Sequence, residues 1–218
     1  MFGRKEPSLK DLMQEIADGR TDLVFEYVAQ GGAAGATDPG GVSLIQWCSY
    51  YGDASAVKFL LTQGVSLDSL GEHHGLMLAA FNGHWRLCKF FLERGEDVNQ
   101  QLPDTGESAL HSTLCTTDRR DRNLAMKVLL EHGANPNCVT KPGVPTGGFM
   151  RDCRTKGETP LHRAAAFGDE EAIQLLLDAG AKIDAKDMYG DSPLSWASWY
   201  TRPRPILRML CYSEFRVR

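Results

Sequence analysis

The sequence lacks any apolar run of about 18 residues, the minimum expected of a membrane-crossing helix. Residues 1–7 contain no apolar core, so we expect no secretory signal there. The six cysteines form no CxxC pair and no even framework, which favours free thiols in a reducing compartment over a disulfide scaffold. Together these absences lead us to expect a cytoplasmic protein.

A strong charge imbalance is also missing. The net charge of −4 gives no reason to expect a nucleic acid or an anionic membrane as partner. The sequence has no glycine-rich phosphate loop, no paired catalytic carboxylates and no nucleophile elbow. We therefore expect a chain that is not an enzyme and that has no catalytic residues, no cofactor and no metal.

What the sequence does contain is a repeat. The motif Thr159-Pro160-Leu161-His162 recurs 33 residues later as Ser192-Pro193-Leu194-Ser195. Between paired glycines lie apolar residues at i, i+1, i+4 and i+5, which form one buried stripe on a helix. The stripe occurs six times, and self-similarity at this period predicts a solenoid of stacked helical units. Four of the glycine pairs are twelve residues apart: Gly19/Gly31, Gly52/Gly64, Gly83/Gly95 and Gly168/Gly180.

One segment carries a family resemblance. Residues 157–168 read GETPLHRAAAFG and residues 175–181 read LLLDAGA, which is similar to a near-consensus ankyrin repeat. The resemblance implies an all-α stack of helix–turn–helix units whose connecting loops project like fingers. Thr159 can cap the first helix and Pro160 fits its first turn. Gly180 can end the second helix in a left-handed conformation.

The resemblance covers residues 8–213 in about six units, which we interpret as one domain spanning residues 1–218. The units are a cap at 8–32, four units at 38–68, 70–99, 103–137 and 154–186, and a second cap at 187–213. A short insertion near residues 116–122 places the charged run 118–122 on an inter-helix turn, where we expect it to be solvated.

A longer insertion lies at about residues 139–153. Its prolines and glycines disfavour a regular element. We expect a partly anchored loop, with Phe149 or Met150 packed against the solenoid and residues 141–148 mobile. Because loop insertions cost little, excising residues 141–150 is expected to change stability by about 1 kcal/mol.

The resemblance also implies a binding surface. In ankyrin proteins the fingers and first helices line a groove, reached by the residues just before the inter-helix glycine and the one after the family's histidine. Carried over to this chain, with finger residue Tyr189, these positions are Trp47, Tyr50, Tyr51, Leu78, Phe81, Asn82, Ser112, Arg163, Phe167, Tyr189, Trp196, Trp199 and Tyr200. Their aromatic character is typical of binding hot spots. We therefore predict a monomeric scaffold or adaptor that binds another protein, although some of these aromatics could instead pack between units, and Trp196 and Trp199 could cover the end of the core.

The rival interpretation is a small-molecule or catalytic site built around the 139–153 insertion. His111 and Cys115 are four residues apart and could share a helical face, as a base and a nucleophile do. His111, however, occupies the family's structural histidine position. His132, Cys138, Asp152 and Cys153 bracket the insertion but match no zinc-ligand spacing. We therefore favour the scaffold.

Overall fold

A computed structural model describes residues 7–71, 75–116, 119–146 and 154–212 of the chain. Within these residues it contains α-helices, two short 3-10 helices and isolated β-bridges, and no strands. No helix among them is long and apolar enough to cross a membrane. The α-helices are α1 Leu9–Ala17, α2 Val24–Ala29, α3 Leu44–Tyr51, α4 Ala54–Thr62, α5 Leu76–Asn82, α6 Trp85–Leu92, α7 Ala109–Ser112, α8 Arg120–Glu131, α9 Pro160–Phe167, α10 Glu170–Asp178, α11 Pro193–Trp199 and α12 Arg204–Met209.

The first helix of most repeats begins at a capping box, in which a side chain three residues into the helix accepts from the backbone N–H of the cap residue. In α3 the cap is Ser43, whose N–H donates to Oε1 of Gln46 at 2.9 Å. In α9 the cap is Thr159, whose N–H donates to Nδ1 of His162 at 3.2 Å. Pro160 follows in the first turn, so the predicted start of this helix is confirmed.

Two glycines that end helices are needed for different reasons. Gly180 has a φ of 88°, the left-handed conformation predicted for it. Gly168 is extended, with a φ of −72°, and its backbone would suit other residues. A Cβ added there would lie 2.6 Å from the carbonyl oxygen of Ala164, so this position requires glycine because of space.

The chain divides into two compact units, residues 1–79 and 80–218, with the division inside α5. In the first unit α1 packs on α3, α2 packs on α4, and α3 pairs with α4. This arrangement forms two helical layers around a buried core. The core includes Leu12, Ile16, Val24, Leu44, Ile45, Cys48, Val57 and Leu60.

The second unit repeats the same layering. α9 packs between α7 and α11, while α8 packs on α6 and α10, and α10 packs on α12. The apolar stripes fill the space between layers, and Leu129, Ile173 and Leu176 are completely buried. The all-α fold of paired helices predicted from the repeat is confirmed.

Loop asparagines join successive repeats in the second unit. The Asn99 side chain donates to the carbonyl of Gly133 at 3.1 Å and accepts from the N–H of Asn135 at 2.7 Å. Asn137, one repeat later, donates to the carbonyl of Gly180 at 2.9 Å and accepts from the N–H of Lys182 at 2.8 Å. Each amide therefore satisfies one carbonyl and one N–H at the end of the next repeat's second helix.

The described part of the long insertion forms two paired arms, residues 140–146 and 154–156. The N–H of Gly143 donates to the carbonyl of Thr155 at 2.7 Å, and the N–H of Thr155 donates to the carbonyl of Val144 at 2.9 Å. Lys141 N–H donates to the carbonyl of Thr105 at 2.7 Å, which ties the first arm to the preceding finger. The prediction of a mobile segment is therefore wrong for residues 141–146. Phe149 and Met150, the predicted anchors, lie outside the described residues.

The charged run near the short insertion is not uniformly solvated. Arg119 is buried, where its guanidinium donates to the carbonyl of Thr113 and, at 2.8 Å, to Oδ1 of Asn123. Arg122 is half-buried and donates to the carbonyl of Phe81 at 2.8 Å. The expectation of a solvated run is wrong for these two arginines because backbone carbonyls in neighbouring segments pair with them. Asp118 lies outside the described residues.

Candidate protein-interaction surfaces

The first unit presents a cluster of three aromatic side chains on α3, which we call the α3 aromatic cluster: Trp47, Tyr50 and Tyr51. The rings of Trp47 and Tyr51 stack with centroids 6.0 Å apart, and Tyr50 meets both rings edge-on at 6.0 and 5.1 Å. Tyr50 is 48% exposed and Tyr51 is 39% exposed. Spacings of three and four residues place the three side chains on one side of the helix.

The finger before α3 fixes the indole of Trp47. Its Nε1–H donates to Oδ2 of Asp38 at 3.0 Å, and Oδ1 of Asp38 accepts from the N–H of Val42 at 2.9 Å. The hydroxyl of Tyr51 donates to the carbonyl of Ala17 at 2.9 Å. Two of the three rings are therefore held by polar contacts as well as by stacking.

A groove of about 740 Å³ lies beside Trp47 within the first unit. Its wall comes from α1, and the finger supplies its rim. Residues that line it include Leu9, Met13, Asp18, Tyr27, Asp38 and Trp47. A half-buried indole at the edge of such a groove offers a large contact area to a ligand.

The predicted positions on α5 are less open. Leu78, Phe81 and Asn82 are all half-buried. The backbone carbonyl of Phe81 is already used by Arg122. These three residues offer a smaller accessible area than Tyr50 does.

In the last repeat two predicted residues are prominently exposed. Trp199 is 75% exposed on α11, and Tyr189 is 69% exposed at the tip of the preceding finger. Trp199 lines a groove of about 560 Å³ together with Leu194, Ser198 and Tyr212. With three-quarters of its surface in solvent, Trp199 does little to cover the core.

Trp196, by contrast, belongs to the core. It is only 4% exposed, and its Nε1–H donates to Oδ2 of Asp187 at 3.0 Å. Its ring packs against His162 with centroids 5.4 Å apart. Tyr200 is half-buried against Phe167, with ring centroids 4.8 Å apart. The prediction of an accessible Trp196 is wrong, and the alternative that it packs between repeats applies.

Arg163 and Ser112 were also expected on the surface, and both expectations are wrong. Ser112 is 8% exposed, and Arg163 is completely buried. Nη1 of Arg163 lies 2.7 Å from Oε1 of Glu107, and its Nη2 lies 2.6 Å from Oε1 of Glu158. Two buried carboxylates from successive repeats therefore draw this side chain inward.

Threonines of the insertion arms complete this ionic cluster of Glu107, Arg163 and Glu158. The hydroxyl of Thr146 lies 2.9 Å from both carboxylate oxygens of Glu107, and the hydroxyl of Thr140 donates to Oε2 of Glu158 at 2.7 Å. Burial alone would raise the pKa of Glu158, but the charge of Arg163 and these hydrogen bonds lower it below its ordinary value. The insertion thus acts as a polar cover over buried charges.

His111 and Cys115 do not form a nucleophile–base pair. Nδ1 of His111 accepts from the N–H of Ser108 at 3.2 Å, which leaves the proton on Nε2 to donate to the carbonyl of Glu158 at 3.2 Å. Burial and the nearby charge of Arg163 lower the pKa of His111 to about 3, and burial raises the pKa of Cys115 to about 11. With both imidazole nitrogens occupied and the thiol kept protonated, this geometry does not support catalysis.

A metal centre finds no support in the described part of the chain, where no group of three or more His, Cys, Asp or Glu side chains is placed to hold an ion. Cys138 lies near His111, with Sγ 3.8 Å from Nδ1, and also contacts the hydroxyl of Ser108 at 3.3 Å. Asp152 and Cys153 lie outside the described residues.

Comparison with known families agrees with the helical repeats. A family model described as ankyrin repeats, with three copies, matches residues 12–101, 76–187 and 122–218. The chain belongs to the ankyrin-repeat family. The resemblance seen in the residues of the fifth repeat is thereby confirmed.

Three curated relatives are similar to this chain over different parts of its length. The ankyrin repeat domain-containing protein SAT10 of Stachybotrys chartarum is 32% identical over 65% of this chain, a putative ankyrin repeat protein of Rickettsia felis is 31% identical over 63%, and the mouse palmitoyltransferase ZDHHC13 is 25% identical over 86%. The aligned regions cover 6%, 40% and 33% of those relatives, respectively. The chain therefore spans less than half the length of each of them.

Proposed function

We propose that this ankyrin-repeat chain is a non-catalytic scaffold that binds a protein partner through its first helices and finger loops. Ankyrin repeats as a class mediate protein–protein interaction. The proposal includes the cytoplasm as its location and a monomeric state. The observation that carries it is the α3 aromatic cluster, in which Tyr50 is about half exposed although it belongs to a first helix.

The cluster has the properties of a binding hot spot. Tyrosine and tryptophan supply large contact areas with few rotatable bonds, and such residues dominate the energy of protein interfaces. Tyr50 is held edge-on by two neighbouring rings, so it loses little side-chain entropy when a partner covers it. Trp199 and Tyr189 offer a second exposed aromatic surface in the last repeat.

The non-catalytic part of the proposal is supported by the state of His111 and Cys115. Each of these candidate groups has its pKa shifted in the direction that suppresses base or nucleophile chemistry. The palmitoyltransferase relative aligns over a third of its length, and its named activity is a property of that protein.

The test begins with capture of a partner by the immobilised full chain and identification of that partner by mass spectrometry. Affinity for the purified partner is then measured for Tyr50→Ala and for a matched control, Phe25→Ala. Phe25 is 41% exposed on α2, a second helix, and packs on Phe59 with ring centroids 4.6 Å apart. The two variants each remove one aromatic ring of similar exposure, and the two rings lie on different helix layers.

We expect Tyr50→Ala to lower the affinity for the partner about tenfold or more, as hot-spot truncations do. Phe25→Ala should change that affinity little. Both variants should keep the helical circular dichroism signal of the unaltered chain. Normal binding by Tyr50→Ala and by a second variant, Trp199→Ala, would overturn the proposal that first-helix aromatics form the interface.

A further inference from the structure

The groove beside Trp47 carries net negative charge. Three aspartates line it, Asp11, Asp18 and Asp38, together with one cation, Lys10, so its formal charge is −3 + 1 = −2. Asp18 is exposed at the end of α1, and one of its oxygens accepts from Nε2 of Gln14 at 3.2 Å. A cationic ligand would be attracted to this groove, and an anionic ligand such as a nucleic acid would be repelled.

We propose that this groove binds an extended segment of the partner protein that presents an arginine beside an apolar residue. The inference rests on the proposed scaffold function and specifies the chemistry of its ligand. Arginine is the expected side chain because the groove combines carboxylates with an indole.

The carboxylate and the ring are held in a fixed relation. Asp38 accepts from Nε1 of Trp47 at 3.0 Å, so a negative charge sits at the edge of the indole. Tyr51 stacks on Trp47 at an interplanar angle of 23°, and Trp47 rather than Tyr51 lines the groove. A planar guanidinium can lie over an indole face while its N–H groups reach a neighbouring carboxylate.

Arginine fits this site better than lysine does. A guanidinium is planar, stacks on aromatic rings and is less strongly hydrated than an ammonium group. The apolar part of the groove, formed by Leu9, Met13 and Pro39, suits an aliphatic neighbour in the bound segment. Methionine adapts its shape to varied apolar ligands, so this half of the groove should tolerate leucine, isoleucine or valine.

The experiment uses fluorescence anisotropy with a dye-labelled peptide of sequence Gly-Leu-Arg-Leu-Gly, acetylated at its N-terminus. A second peptide replaces arginine with citrulline, which keeps the shape and removes the charge, and a third replaces it with lysine. We expect the full chain to bind the arginine peptide most tightly, the lysine peptide less tightly and the citrulline peptide least. Affinity for the arginine peptide should fall as salt rises, because exposed charges are screened.

Two charge-neutralising variants separate a local from a general effect. Asp18→Asn removes a groove charge and keeps the oxygen that Gln14 uses. Its matched control is Glu26→Gln on α2, where Glu26 is also exposed and also accepts from a glutamine four residues away, Gln30, at 3.0 Å. We expect Asp18→Asn to lower the affinity for the arginine peptide about three- to fivefold, the scale of one exposed ion pair. Glu26→Gln should leave that affinity unchanged.

Equal affinity for the arginine and citrulline peptides would overturn the inference, as would equal losses in Asp18→Asn and Glu26→Gln. Trp47→Leu provides an independent check, since it should remove the preference for arginine over lysine in a chain that retains its helical signal. If Tyr50→Ala lowers the affinity for the captured partner and no peptide binds the unaltered chain, the scaffold function is supported and the arginine site is wrong. If the peptides bind in the expected order and Tyr50→Ala binds the partner with normal affinity, the arginine site is supported and the proposed interface is wrong.

Discussion

Trp47 and Arg163 occupy the same position in their repeats, one residue after the side chain that completes the capping box. Trp47 is half-buried at the edge of a groove, whereas Arg163 is completely buried between two carboxylates. The difference comes from their partners. Asp38 lies in the finger nine residues before Trp47, while Glu158 lies just before the helix cap and pairs with Arg163.

Trp196 extends this comparison. It stands at the same position, and its indole donates to Asp187, again nine residues earlier, with the 3.0 Å distance found for Trp47 and Asp38. It is nevertheless buried, because His162 of the preceding repeat covers its ring. The repeat position alone therefore does not determine exposure, and the neighbouring repeat decides it.

The largest effect is expected at the ionic cluster. Arg163→Met should lower the free energy of unfolding by about 3–5 kcal/mol, because it leaves Glu107 and Glu158 buried without a counter-charge. Urea denaturation followed by circular dichroism measures the loss. Lys182→Ala, at an exposed site in the same unit, should change stability by less than about 0.5 kcal/mol. Matching small losses in the two variants would contradict the burial of Arg163.

The insertion provides the next test. Thr146→Val keeps the side-chain shape but removes the hydroxyl beside Glu107, and it should cost about 1–3 kcal/mol, the penalty for an unsatisfied buried group. The control is Thr62→Val on the exposed end of α4, which should be nearly neutral. We now expect excision of residues 141–150 to cost at least as much as Thr146→Val, more than the sequence alone indicated. An excised chain as stable as the full one would show that the arms are not a cover.

Replacing Trp47, at the comparable position in the first unit, should lower the stability less than replacing Arg163. Trp47→Phe keeps an aromatic ring and leaves Asp38 without its indole donor. Because Trp47 is only half-buried, water can replace that hydrogen bond, and we expect a cost below about 1 kcal/mol in urea denaturation. A loss as large as that of Arg163→Met would break the comparison between the two positions.

An effect of a different kind is a pH dependence centred on His111. Its folded-state pKa is lowered to about 3 from 6.5, so between those values the unfolded chain binds more protons. Stability should therefore be complete above about pH 6.5 and decrease as the pH falls. His111→Gln, which imitates Gln46 in the second repeat, should flatten the decrease measured between pH 7 and pH 5. His162 has a lowered pKa as well, so a residual slope should remain.

The control for this prediction is Thr62→Val, an exposed variant that removes no titratable group. It should keep the pH slope of the unaltered chain. An identical slope in His111→Gln and the unaltered chain would mean that His111 is protonated as easily in the folded state as in the unfolded one.

Features that depend on a few neighbouring residues could be read from the sequence. The Thr159 cap, the left-handed Gly180 and the apolar stripes rest on local backbone chemistry, and the structure contains them. The shared helix face of Trp47, Tyr50 and Tyr51 follows from their spacing of three and four residues. For such features the repeat pattern is sufficient.

The burial of Arg163 could not be read in the same way, because its environment comes from distant segments. Glu107 belongs to the preceding repeat, and Thr140 and Thr146 belong to an insertion that the repeat pattern does not describe. A signal did exist, since a glutamate precedes the cap in both GESALH and GETPLH. Two glutamates at the same position of successive repeats, with one arginine nearby, indicate that the arginine is buried as the counter-ion of both.

The asparagine bridges have a consequence for how the second unit opens. Asn99 and Asn137 each link a loop to the helix end of the next repeat with one donated and one accepted hydrogen bond. Asp184 follows at the corresponding place of the fifth repeat, and a carboxylate has no N–H to donate to a carbonyl. The loop after α10 therefore lacks the donated half of the bridge that Asn99 and Asn137 provide. Amide hydrogen exchange should be faster in that loop than in the loops that carry the two asparagines.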